Sequence, residues 1–359
     1  MDPLKKICAI IISGLVICLC SCAARTADKP VGKITALSLE IPAAYVDREY
    51  MLMYIDESDL SDGNRQMDLL YALDCGEAVA YIFQNDVLTT ASRKFGIYLQ
   101  NKETGDHRLL KTLTYENQRM IFSAEADQNY LFFSSVEIGE NRAYIDKISL
   151  LDGKESCIYS ENTTTGRIPI ISLSGGKLYC YKDEPDESVS IISYDTDSDQ
   201  AETVRKKVLS VNPFDRAVSG AYAVDSGGTA VVFAGNNSIK TNIRSDEFDL
   251  ISARGSAVMW KSYESERLYI GDTDSGEVRE MPCRGYMGAG FTSNGFYICA
   301  NDYSEKNSYE RISFYNDDSV CVYESAAEGQ SAAFAHYSNS FDSVLREREN
   351  EIFIYSLRQ

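Results

Sequence analysis

The stretch "SGGKLYCYK", residues 174–182, joins a glycine turn to a strand in which Leu178, Cys180 and Lys182 alternate with Tyr179 and Tyr181. Alternation with a period of two is the mark of a β-strand, and paired glycines supply the left-handed backbone of a tight turn. The same unit recurs as "CGEAVAYIF" at 75, "DQNYLFFSS" at 127, "SGGTAVVFA" at 226, "RGSAVMWKS" at 254 and "SNGFYICAN" at 293, with a weaker copy, "SNSFDSVLR", at 338. With Gly76, Gln128, Gly175, Gly227, Gly255, Asn294 and Asn339 as markers, successive spacings are 52, 47, 52, 28, 39 and 45 residues. Most fall near the roughly 40–50 residues of a four-stranded propeller blade. A four-stranded blade barely fits the 28-residue interval.

A second hairpin follows at a similar offset in several units: "KETGDH" after the Phe95 strand, "LLDGKE" after Tyr144, "DTDSDQ" after Tyr194 and "DTDSGE" after Tyr269. Sustained helical periodicity is absent, and the best helical candidate is "NRQMDLLYALD", residues 64–74. The expected fold is all-β, a β-propeller of about seven blades, with six or eight also compatible. The chain ends in "NEIFIYSLRQ", a strand that would be third in its blade, and the early strands "ITALSLEI" and "EYMLMYI" can supply the fourth. Pairing N- and C-terminal strands in one blade removes exposed sheet edges.

"ADQNYLFF", residues 126–133, and "DSGGTAVVF", residues 225–233, resemble the blade openings of Tol-system and WD40-like propellers, although proline is missing and Gln128 stands where glycine is usual. The resemblance implies an architecture and carries over no functional residue.

The start of the chain has another character. Lys5 and Lys6 precede an apolar run from Ile7 to Cys20, too short for the roughly 20 residues of a membrane helix and suited to a signal peptide. The run ends in Leu19-Cys20-Ser21-Cys22, which resembles the lipobox of bacterial lipoprotein precursors. That resemblance implies a diacylglyceryl group on the Cys22 thiol, recognition by the signal peptidase through Leu19 and Ser21, and cleavage before Cys22. Cys18 or Cys20 as the modified residue would put Ile17 or Leu19 at the small position, and an ordinary cleavage site ending at Ala24 is the alternative. The expected organisation is a signal peptide over 1–21, a lipidated tether over 22–33 and a propeller over 34–359. The location expected is extracytoplasmic, anchored by lipid to the cell membrane or outer membrane.

The formal charge of the chain is −19, and loss of Asp2, Lys5 and Lys6 with the leader leaves 33 basic and 53 acidic side chains. Nucleic-acid binding needs clustered Lys and Arg, and no basic run exceeds Arg205-Lys206-Lys207. Anionic headgroups are disfavoured likewise, so attachment rests on the lipid. Beyond Cys22, Cys75, Cys157, Cys180, Cys283, Cys299 and Cys321 are widely spaced without a C-x-x-C pair, so no zinc site is expected. Cys180 and Cys299 read as small buried residues, with disulfides as the alternative.

His107 and His336 are the only histidines and no G-x-S-x-G elbow is present, so no Ser/His/Asp catalytic set is expected. The loop beginning at Asp195, Asp197 and Asp199 has Gln200 and Lys206 where an EF-hand needs glycine and glutamate, and the Asp272, Asp274, Gly276 loop is similarly short of ligands. Both read as hairpin turns, and no metal or cofactor is expected. The chain has 24 Tyr and 14 Phe but one Trp, which speaks against quinone-type propellers with a docking tryptophan in each blade. Trp260 reads as an inter-blade packing residue. The function expected is a non-catalytic binding or scaffold role toward a protein or glycan partner. The alternatives are a carboxylate-dependent, glycan-directed hydrolase or lyase and an envelope structural protein.

Overall fold

The structure is a computed structural model that describes residues 37–39, 46–53, 67–85, 93–115 and 119–357, apart from internal intervals of which the longest are 164–169, 209–220 and 329–334. The lipobox and the tether lie outside the described residues. Among the described residues every regular element is a strand.

Strands β1 (Leu37–Leu39) and β2 (Val46–Met53) come first. Next is a four-stranded sheet of β3 (Met67–Asp74), β4 (Ala78–Asn85), β5 (Arg93–Asn101) and β6 (His107–Tyr115). A second contains β7 (Arg119–Ala126), β8 (Tyr130–Glu137), β9 (Arg142–Ser149) and β10 (Glu155–Asn162), and a third β11 (Ile171–Ser174), β12 (Lys177–Asp183), β13 (Val189–Asp195) and β14 (Ala201–Val208). A three-stranded sheet follows: β15 (Ala221–Val224), β16 (Thr229–Ala234) and β17 (Asn237–Arg244). Two further four-stranded sheets are β18 (Phe248–Arg254), β19 (Ala257–Ser262), β20 (Arg267–Asp272), β21 (Val278–Pro282), and β22 (Tyr286–Thr292), β23 (Gly295–Tyr303), β24 (Ser308–Asn316), β25 (Cys321–Glu328). The last strands, β26 (Ala335–Ser338), β27 (Ser343–Arg348) and β28 (Glu351–Leu357), continue through β2 to β1, with Met51 opposite Phe353.

Each four-stranded sheet is an up-and-down antiparallel blade, and the first strands of neighbouring blades lie side by side: β3 against β7, β7 against β11, β18 against β22, β22 against β26, and β26 back against β3. This is a β-propeller. Apolar faces fill the space between blades. Phe95, Ile97 and Leu113 of one blade pack with Ile121, Leu131 and Phe133 of the next. Trp260 packs with Ile239 and Val232 of the three-stranded sheet and stacks on Tyr269, its ring lying over Gly271.

Two sequence expectations change. Residues 67–74 of the helical candidate form β3, an inner strand. Its pairing with β4 jumps from Leu69↔Phe83 to Tyr71↔Ile82, so Leu70 is a bulge residue, and the inserted residue breaks the period-two pattern that would have identified a strand. The same bulge recurs at Phe122, Ile251 and Met287 in other inner strands. The second change concerns Gly227. Gly76, Gln128, Gly175, Gly255 and Asn294 sit in the hairpin between the first two strands of their blades, whereas Gly227 sits in a hairpin at the opposite end. Only residues 245–247 separate β17 from β18, so β17 runs in the phase of a fourth strand. Consistently, Ala234, the last residue of β16, accepts a hydrogen bond from Thr273 in the third hairpin turn of the next blade, at 3.2 Å. The 28-residue interval therefore measures from one kind of turn to another.

Candidate functional site at the connector end

Strand direction gives each blade two unlike ends. One carries the hairpins between first and second and between third and fourth strands; the other carries the second-to-third turns and the connectors to the next blade.

At the hairpin end the turns are hydrogen-bonded within the fold, with Leu151 there 87% exposed. Asn101, Asp195 and Asp272 each accept two backbone N–H groups of their own turn through a side-chain oxygen, at 2.8–3.2 Å. Four residues on, Gly105, Asp199 and Gly276 take the left-handed conformation that closes such a hairpin, with φ of 72°, 57° and 75°. The following residues, Lys102, Thr196 and Thr273, donate their N–H to the first hairpin of the same blade. Side chains then tie blade to blade. Lys147 reaches Thr196 O at 2.5 Å and Asp199 at 2.8 Å, Arg254 reaches Thr292 O and Asp317, and Ser343 reaches Asp74 at 2.5 Å. Thus Asp195 and Asp272 direct their carboxylates to their own turns, as hairpin residues do, and hydrogen bonds lower the pKa of both.

The connector end bears two groups of polar and aromatic side chains. In the first, Arg119 opens β7 and crosses its sheet: Nε donates to Ser135 Oγ at 2.7 Å and Nη2 pairs with Asp146. Its guanidinium lies between two tyrosine rings, 4.4 Å from the centroid of Tyr115, at the end of β6, and 3.9 Å from that of Tyr144. Tyr144 donates its hydroxyl to Glu137 at 2.8 Å. Burial pushes Asp146 up to about 6 even though Arg119 pulls it down. A carboxyl whose pKa rises on folding holds its proton more tightly in the native state. Asp146 therefore stabilises the fold most at pH values below its ordinary pKa, and that contribution disappears as pH rises through about 6. The difference is worth about 3 kcal/mol for a shift of this size. Asp146→Asn is expected to flatten the fall in unfolding free energy between pH 4 and 7, measured by urea titration; an unaltered slope contradicts the assignment.

The second group joins β19 and β22. Lys261 lies 4.3 Å from the Tyr286 ring centroid and 5.3 Å from that of Tyr263. Tyr263 and the bulge residue Met287 are 54% and 39% exposed, and Arg284 between the two blades is exposed as well. Tyr, Met and Arg are the residue types enriched in binding surfaces, because they offer large contact area with few rotors or a polar tip.

Of the residues singled out in the sequence, His107 is the exposed first residue of β6 and His336 lies in β26. Leu19, Ser21 and Cys22 lie outside the described residues. Cys75, Cys180 and Cys283 are buried free thiols and Cys157 an exposed one, while Cys299 is buried and Cys321 exposed. Burial raises Cys180 to about 12 and Cys283 to about 11, so neither is a ready thiolate. Among the described residues no cluster of three His, Cys, Asp or Glu side chains is placed to hold a metal ion. Sequence reasoning missed the Arg119 and Lys261 groups, whose members lie on different strands.

The chain is similar in structure to the β-propeller domain of the Trilobed protease from Pyrococcus furiosus, a domain described as having an open velcro topology. The TM-score is 0.54 at 15% identity, over 82% of this chain and 95% of that one. It is also similar to the Pyrococcus horikoshii acylaminoacyl peptidase, with a TM-score of 0.53 at 14% identity over 82% of this chain. An acylaminoacyl peptidase in complex with Z-Gly-Gly-Phe-chloromethyl ketone gives 0.54 at 14% identity over the same share. The chain spans about half, 52%, of the length of each of these two peptidases. At such identities the likeness concerns the propeller fold alone. No family model and no curated protein matches the sequence.

Proposed function

We propose that this protein is a lipid-anchored propeller of the bacterial envelope that acts as a non-catalytic binding or scaffold protein, engaging a protein or glycan partner through its connector end. The observation that carries this reading is the contrast between the two ends. Turn and latch groups at the hairpin end are committed to hydrogen bonds within the fold, whereas the connector end presents Tyr263, Met287 and Arg284 to solvent. We further propose a ring of seven blades in which the three-stranded sheet is one blade and β26, β27, β28 and β2 make another. The pairing of β2 with β28 and the contact of β26 with β3 support that closure. Residues 22–33 serve as the tether and Cys22 as the lipidated residue, with Leu19 and Ser21 read by the signal peptidase.

Two measurements test the reading. Cys22→Ala is expected to shift the protein from the membrane fraction to the soluble one or to leave the precursor uncleaved, while Cys20→Ala does neither. Equal partitioning of both variants with the wild type contradicts the anchor. Glycan arrays and envelope extracts probed with wild type and with a Tyr263→Ala/Met287→Glu variant test the surface: binding that survives the double substitution unchanged places the partner elsewhere.

One observation favours a second reading. Asp146, which burial pushes up to about 6, and Glu137 on the same face of the sheet supply an acid-like carboxyl and a second carboxylate, the two groups a glycan-directed hydrolase or lyase uses. Turnover of a polysaccharide that Asp146→Asn abolishes would establish that reading over the first.

A further inference from the structure

The interface that holds Arg119 also contains a guanidinium without a counter-charge among the described residues. Arg93 opens β5, and alternation along the strand puts it on the face of Phe95 and Ile97, which pack against Ile121 and Phe133 of the neighbouring blade. It is only 7% exposed, and burial lowers its pKa. Its Nη1 has no hydrogen-bond partner, and among the described residues no carboxylate pairs with it. Directly across the β5–β6 ladder stands Tyr115, whose buried hydroxyl also has no partner. Two orphaned donors on one cross-strand pair are costly: a buried polar group without a partner loses about 1–3 kcal/mol, and an unpaired buried charge more.

The neighbouring cations do not share this state. Arg119 is taken by Asp146 and Ser135, and Arg142 donates to Ser160 Oγ at 2.8 Å. Among the described residues Arg93 is therefore the buried cation of this interface with no carboxylate paired to it, and Glu137 and Asp146 on the facing blade would repel a second negative charge on any incoming group.

We infer that Arg93 and Tyr115 form a binding site for a single carboxylate group presented at the connector end of the first two four-stranded blades. A planar carboxylate matches the guanidinium fork and leaves an oxygen for the phenol, and its single charge matches the single one available. A phosphate dianion would bring a charge too many. The site does not depend on the membrane anchor or on the Tyr263 surface.

Thermal melts of the full chain test this, with sodium acetate, sodium glucuronate, a tripeptide with a free C-terminus, or phosphate as probe against sodium chloride at equal ionic strength. The wild type is expected to gain several degrees in Tm with a carboxylate probe beyond the chloride control. The stronger of glucuronate and the tripeptide indicates a sugar-acid or a peptide source. Arg93→Met should be at least as stable as the wild type without probe, because it removes an uncompensated buried charge, and its Tm should not respond. Tyr115→Phe should respond with an apparent affinity about tenfold weaker, the loss of one hydrogen bond to a charged group. A wild type that responds no more than to chloride, a larger response to phosphate than to glucuronate, or an Arg93→Met protein that melts well below the wild type would each overturn the site. The last result would mean that Arg93 already has a partner within the chain.

Discussion

Asp74→Ala is expected to destabilise the propeller by about 3–5 kcal/mol, the range for breaking a buried ion pair on one side only. Asp74 closes β3, and its carboxylate carries three bonds: Oδ1 accepts Lys102 Nζ at 2.6 Å and the N–H of Gly76 at 2.9 Å, and Oδ2 accepts the Ser343 hydroxyl at 2.5 Å. The side chains of Lys102 and Asp74 are 9% and 1% exposed, so an alanine takes a buried counter-charge away from the Lys102 ammonium. Ser343 belongs to β27, and the Phe341 ring packs on Gly76, so the loss falls on the seam between the terminal sheet and the β3–β6 blade. Urea unfolding measures the effect, and Asp74→Leu combined with Lys102→Met separates its origins. If the cost comes from the stranded charge, the double variant should recover much of it, since a buried pair replaced by apolar residues is often close to neutral. A loss below about 1 kcal/mol for Asp74→Ala, as for an exposed pair, would contradict the picture of a buried latch.

Gly285→Ala is expected to cost a similar amount by a different route. Gly285 connects β21 to β22 with a φ of 67°, a region where a residue with a Cβ is strained, and its carbonyl accepts the Asn301 N–H at 2.7 Å. A Cβ at this position would fall on the Asn301 carbonyl in the interior of β23. The left-handed conformation accounts for about 1–2 kcal/mol and displacement of a buried strand for about 1–3 more. The effect should be independent of pH between 5 and 9, because no charge is involved. A thermal midpoint within a degree of the wild type would show that the two strands do not approach so closely.

The repeat of glycine turn and alternating strand was legible because each blade uses the same local chemistry, and the Asp195 and Asp272 loops read correctly as hairpins for the same reason. What the sequence obscured is phase. "SGGTAVVFA" has the composition of the other blade openings, but a glycine turn looks alike at either end of a blade, and only the three residues between β17 and β18 settle which end it occupies. The bulge at Leu70 disguised β3 in another way, by inserting one residue into a period of two. The groups at the connector end were not legible at all. Arg119 meets Asp146 across a sheet and Tyr115 across a blade boundary, and the isolation of Arg93 is a property of its surroundings that no spacing along the chain records.

The pairing of β2 with β28 joins the two ends of the propeller, residues Val46 and Leu357 standing opposite each other. Hydrogen exchange followed by mass spectrometry on the β28 amides, in the whole chain and in a chain lacking residues 34–60, examines that pairing directly. A closed ring predicts slow exchange in residues 351–357 of the whole chain, with the deletion speeding exchange there and in β26 and β27 of the same sheet. Equal protection of β28 in both chains, with a cooperative melt at an unchanged midpoint, would contradict closure through the termini.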